Sequence, residues 1–102
     1  MRIILTTCSP DDAPKLVRSM LEKRLVGCGN ILPGVRSLYW WEGEIQDDAE
    51  ALLVMETRTD LVGDALGHLN DIHPYTVPKI LALEPTDAHQ PYVAWLREET
   101  RQ

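Results

Sequence analysis

The chain switches between two hydrophobic rhythms, and each switch marks a new element. "RIILTT" (Arg2–Thr7) is a short, largely β-branched run that reads as a buried strand. "SPDD" follows: Ser9 suits an N-cap, Pro10 the first helical position, and Asp11 and Asp12 the positive end of a helix dipole. Ala13, Leu16, Val17, Met20, Leu21 and Leu25 then recur at helical spacing, with Gly27 as the stop. From Asn30 to Arg58 the pattern is that of a long β-hairpin, bent at Pro33-Gly34 and turning at Glu42-Gly43. Thr59 caps a second helix whose stripe is Leu61, Val62, Ala65, Leu66, Leu69 and Ile72; Pro74 ends it and pushes His73 into an extended conformation. "TVPKILALEP" is a fourth strand, confined to a sheet edge by Pro78 and Pro85. A last helix, Pro91 to Arg101, carries Tyr92, Trp95 and Leu96 on one side.

The order β-α-β-β-α-β plus a terminal helix predicts an α+β, ferredoxin-like sandwich, an antiparallel sheet with both main helices on one face. Two features do not fit inside one copy. Each hairpin arm of about eleven residues or more spans about 36 Å, whereas a domain of about 100 residues has a radius of gyration near 13 Å. The tip should therefore project. In "SLYWWEGEI" (Ser37–Ile45) strand alternation sends Tyr39 and Trp41 to one face and Trp40 to the other. Ile3, Ile4 and Leu5, and likewise Leu52, Leu53, Val54 and Met55, are apolar on both sides of their strands, so the helix-free face also needs cover. Too little chain remains to supply it. Further copies of the chain are the expected cover, with Tyr39 or Trp40 in the interface, where amphipathic aromatics are favoured.

At 102 residues this is a single domain, 1–102. The net charge of −6 and pI near 4.9 exclude a nucleic-acid backbone as partner, since that requires a basic face. The apolar run in "MRIILTTCSP" is too short for a signal peptide or membrane span, so no membrane role and a cytoplasmic, reducing compartment are expected. Cys8 and Cys28 are then free thiols, and they lack zinc-site spacing.

Candidate chemistry centres on "IHPYTVP". His73, held by Pro74 beside Tyr75, reads either as a metal ligand or proton acceptor on a rigid loop, or as a structural turn at a helix end. Cys8 ends the first strand near a helix N-terminus, a place that favours thiolate and soft metals, although Asp11 and Asp12 oppose the charge. Cys28 reads as core, and His68 and His89 as surface residues. Glu42, Glu44, Asp47, Asp48 and Glu50 form an acidic run around the hairpin tip, a solvated edge or a set of hard-cation oxygens. Nucleophile-elbow, P-loop, dinucleotide and zincin motifs are all missing, so no enzyme is indicated. A phosphate cradle after the first strand would be spoiled by the two aspartates of "TTCSPDD".

"EKRLVGCGNILPGVRSLYWWEGEIQDDAEALLVMETR", with "HPYTVPKI" and "YVAWL", resembles the CutA divalent-cation tolerance family from Ile3 to about Thr100. The resemblance implies a compact homotrimer of ferredoxin-like subunits, similar in architecture to the PII signalling proteins, with no defining catalytic activity. It also implies a role in tolerance of divalent ions, copper among them. His73 matches the family's His-Pro-Tyr histidine and becomes the leading metal ligand. Cys8 matches a Thr-Cys-Pro element, with Ser9 intervening before Pro10. Tyr75, Trp41 and Trp95 match recurring packing and interface aromatics. Glu56 stands where members often carry Lys, and Lys79 where many carry Glu. A charge-swapped Glu56–Lys79 ion pair, within or between subunits, is therefore expected. The leading expectation is a non-catalytic trimer binding divalent metal. The alternatives are a PII-like signalling trimer with a metabolite in its intersubunit clefts, discriminated by a basic or glycine-rich cleft loop, and a structural trimer supporting partner proteins through its aromatic surface.

Overall fold

A computed structural model describes residues 1–100. The elements are β1 (Arg2–Cys8), α1 (Ala13–Glu22), β2 (Cys28–Trp41), β3 (Glu44–Thr57), a 3-10 turn (Thr59–Leu61), α2 (Val62–Ile72), β4 (Ile80–Leu83) and α3 (Gln90–Glu99). They build one antiparallel sheet in the order β2-β3-β1-β4, the predicted α+β topology. Ile4 and Cys8 of β1 and Leu53 and Met55 of β3 are buried against Leu16 and Met20 of α1 and Ala65 and Leu69 of α2.

The first helix differs from its prediction at both ends. Ser9 Oγ donates to Asp12 Oδ2 at 2.8 Å and accepts the Asp12 N–H at 3.3 Å, so "SPDD" closes a separate turn. The helix then begins at Ala13 with Pro14 in its first turn, where a missing N–H costs nothing. It stops at Glu22 because Arg24 adopts the left-handed conformation, φ 57°. Gly27 serves packing instead. A Cβ there would sit 2.5 Å from Leu96 Cδ1, so its absence lets α3 close on the sheet.

The hairpin is as long as expected. Glu42 and Gly43 take φ of 51° and 80°, both positive as a two-residue turn with right-handed strand twist demands. The register shifts between Leu32 and Val35, where Gly34 sits at φ 74°. With 14 residues in each arm, the molecule is 44 Å long but only 25 and 20 Å across. β4 is shorter than the predicted strand: Pro78 offers no N–H, and pairing with β1 begins at Ile80. The last helix starts one residue early; its predicted end, Arg101, lies outside the described residues.

On the helix-free face stand Ile3, Leu5, Leu52, Val54, Leu81 and Leu83, with Leu32 from β2. Leu32, Leu81 and Leu83 keep 43, 47 and 47% of their surface exposed. Glu56 and Lys79 share this face but not a neighbourhood. Glu56 lies opposite Ile3, whereas Lys79 precedes Ile80, the partner of Thr6, and so falls beside Thr7. Four positions along β1 amount to about 13 Å, beyond any ion pair. Within the chain Glu56 takes Tyr92 instead, whose hydroxyl donates to Oε1 at 3.0 Å.

Candidate functional site

The residues singled out for chemistry converge where β1 ends and the hairpin leaves the sheet. Pro74 sets His73 in the extended region, φ −71° and ψ 130°, while the His73 N–H still closes α2 on the Leu69 carbonyl at 2.9 Å. That geometry buries the ring, which keeps 7% exposure, against the end of β1. Nε2 is 3.0 Å from the Thr7 carbonyl, and the Tyr75 backbone N–H is 3.2 Å from Nδ1. A carbonyl only accepts and an amide N–H only donates, so Nε2 carries the proton and Nδ1 is the acceptor. The ring is neutral with both nitrogens spent. His73 is thus no open ligand: a metal would have to displace the Thr7 carbonyl or the Tyr75 amide.

Tyr75 tilts against the imidazole, with centroids 4.8 Å apart, and its hydroxyl donates to Glu50 Oε2 at 2.6 Å. Glu50 belongs to the acidic run expected to be solvated, yet it is only 5% exposed. The reason is its position: it pairs with Val35 at the hairpin's root, next to buried Ala51, where β3 enters the sheet. Alternation along β3 does not announce it, since adjacent Glu50 and Ala51 are both buried; Tyr75, whose hydroxyl bonds to Glu50, comes from far along the chain. The Tyr75 phenol is held well above its usual range, first by burial and then by the bond to Glu50. Further out, Tyr39 donates to Asp48 and Arg36 makes a bidentate pair with Asp47, which lowers that carboxyl's pKa.

Cys8 is fully buried, and its thiol is pushed up to about 11 by burial, then by Asp12 and Glu50. No helix-terminus thiolate is favoured here, because burial first, and then the two carboxylates, outweigh any dipole. Cys8, Glu50, His73 and Tyr75 therefore form a proton-bearing, internally satisfied cluster. Among the described residues, no three His, Cys, Asp or Glu side chains are placed to hold a metal ion. Alkylation checks the thiol assignment directly. With about one thiol in a thousand ionised at pH 8 and no exposed surface, Cys8 should resist iodoacetamide: at most one label per native chain, on half-buried Cys28, and two after unfolding in urea. Two labels on the native chain would overturn it.

The remaining candidates divide as follows. Tyr39 and Trp41 share one face of the hairpin and Trp40 the other, with 41, 43 and 71% exposure. Trp95 stacks on Tyr92 at 5.5 Å and stays 41% exposed. His68 is half-buried rather than on the surface: its Nε2 lies 2.9 Å from Ser19 Oγ and ties α2 to α1. The Tyr92–Glu56 contact and the Ser19–His68 bridge join residues far apart in sequence, and no local pattern announces them.

A family model described as CutA1 divalent ion tolerance protein matches residues 1–99. The divalent-cation tolerance protein CutA of Pyrococcus horikoshii is 39% identical over 101 residues, covering 97% of this chain and 98% of that protein. The chain spans about half the length of two plant relatives named chloroplastic, 56% of the rice protein and 54% of the Arabidopsis protein, at 36 and 37% identity. Among solved structures, CutA1 of Thermus thermophilus superposes with a TM-score of 0.92 at 38% identity, covering 99% of this chain and 100% of that one. A PII-like protein CutA from Nostoc gives 0.93 at 29% identity, covering 99% and 98%.

Proposed function

Because this chain belongs to the CutA1 divalent ion tolerance family, we propose that it works as a non-catalytic homotrimer that takes up divalent cations, copper foremost, in the cytoplasm. One observation carries the assembly: the molecule has both a bare apolar sheet face and a projecting arm whose exposed side chains are Leu38, Trp40 and Ile45 on one side and Tyr39 and Trp41 on the other. Burying such surface is favourable by about 25 cal/mol per Å², and cyclic closure lets identical arms cover identical faces. Two free cysteines fit a reducing compartment. Among the described residues no helix is long and apolar enough to cross a membrane.

The metal reading rests on the relatives' names; Cys8, Glu50 and His73 are the donor side chains nearest the end of β1, but among the described residues no three are placed to share an ion, so uptake would need them to rearrange. These groups are occupied by protons or hydrogen bonds, so uptake is weak and releases a proton. Under anaerobic, reduced conditions copper affinity should rise by about tenfold per pH unit while Cys8 is protonated, and Cys8→Ser should flatten that slope. Calorimetric titration at several pH values, beside light scattering for a mass of three times 11.6 kDa, tests both halves. Affinity independent of pH and of Cys8 removes the thiol from the site; a mass of 11.6 kDa removes the trimer.

A PII-like metabolite site is the second reading. It is favoured by the placement of the Glu50–Tyr75 pair at the root of the arm, where a neighbouring copy would close a cleft, and by the Nostoc relative described as PII-like.

A further inference from the structure

We propose that Glu56 is a proton-linked control on self-association, its carboxyl having to be neutral for another copy to close over the open sheet face. The proposal rests on the trimeric reading. Ile3, Leu5, Val54 and Leu83 surround the carboxyl's end of that face, and the polar side chains beside them are the uncharged Asn30, opposite Val54, and Thr7, opposite Leu52. Glu56 sits opposite Ile3 of β1 and Cys28 of β2, and its one polar partner is the Tyr92 hydroxyl. The ion pairs among the described residues use Arg24, Arg36 and Arg58, and none of them reaches Glu56. Neighbouring Arg2 points to the opposite face, where it pairs in register with Thr57. The titratable groups that meet the carboxyl are thus Tyr92 from α3 and Cys28 from β2, neither of them a cation.

A half-buried carboxylate without a cation already disfavours its charge. Burial raises the Glu56 pKa above the ordinary value, and the Tyr92 bond only partly opposes this. Covering the face would remove the remaining water, and an unpaired charge under an apolar lid is far costlier than the neutral acid. The assembled state therefore binds protons that separated copies release. The sign follows: association is strongest at low pH and weakens as pH rises through the carboxyl's titration. With one Glu56 per copy, as many as three protons are linked to each trimer.

The test is sedimentation of dilute protein between about pH 5 and pH 8, on wild type, Glu56→Gln and Tyr92→Phe. Wild-type association should weaken by at least about tenfold across that range, and Glu56→Gln should abolish the difference. Tyr92→Phe removes the bond that favours the charged form and should move the whole profile to higher pH. If the trimer survives every dilution, the urea concentration that halves it is read instead, with the same comparisons. Identical pH profiles for wild type and Glu56→Gln overturn the proposal. So does association that strengthens with pH, the behaviour expected if Lys79 of another copy neutralised Glu56. A single-copy mass for all three proteins at every pH overturns the trimeric reading instead.

Discussion

His73→Ala should destabilise the protein by about 2–4 kcal/mol, because it strands two backbone groups at once. The ring accepts the Tyr75 N–H and donates to the Thr7 carbonyl, and at 7% exposure little water can replace it. Each stranded group costs about 1–3 kcal/mol, less whatever water enters the vacated space. Urea unfolding at fixed protein concentration measures the loss. His73→Gln should recover part of it, since an amide side chain offers one donor and one acceptor at a similar reach. A loss below about 1 kcal/mol would show that the two bonds are incidental.

This result also governs how metal data are read. Loss of copper binding in His73→Ala would ordinarily identify a ligand. Here the same substitution removes the tie between the end of α2 and the end of β1, and so displaces Cys8 and Glu50 as well. The informative comparison is His73→Gln, which keeps the hydrogen bonds but lacks an imidazole. Copper uptake that survives in the glutamine variant and fails in the alanine variant assigns the ring to the scaffold. Uptake lost in both, with the glutamine variant folded, assigns it to the metal.

The sequence disclosed much of this and withheld a definable part. The element order, the antiparallel sheet, the unusually long hairpin arms and the alternation of Tyr39, Trp40 and Trp41 were all legible, because each follows from a local period or a two-residue turn. The ends of α1 were not, because two prolines, Pro10 and Pro14, compete for the helix start and only the Ser9–Asp12 turn decides between them. Gly27 looked like a helix stop, yet its requirement comes from Leu96, far along the chain. Cys8, His73 and Tyr75 were singled out one by one, but neither their meeting with Glu50 nor their state was legible. That His73 has no free nitrogen, and that Glu50 is buried while Asp47 and Asp48 are exposed, depends on contacts between β1, β3 and the Tyr75 loop. Within the chain the Glu56–Lys79 pair does not form, for a related reason: topology put both on one face, but register, which sequence does not fix, placed them at opposite ends of β1.

Trp40→Asp should convert the assembly to single copies while leaving the fold intact. Trp40 is 71% exposed and shares its face of the arm with Leu38 and Ile45, at 61 and 62%, beyond the helices and the core. Its own chain therefore gains little from it, and circular dichroism and monomer stability should hardly change. In an interface the balance reverses. Truncating a buried Trp typically costs 2 kcal/mol or more, and three equivalent contacts in a closed ring make that about 6 kcal/mol, or about 10⁴-fold in association. A buried aspartate without a partner adds to the loss. Light scattering at micromolar concentration should then fall from three times 11.6 kDa to a single copy. A trimer mass that persists would mean that this side of the arm faces water. The same substitution at Trp41, 43% exposed on the opposite side, then asks whether the Tyr39–Trp41 face makes the contact. If neither change alters the mass, the arm is not the cover, and the bare face made by Leu81, Leu83 and Leu32 must be closed by another surface of the molecule.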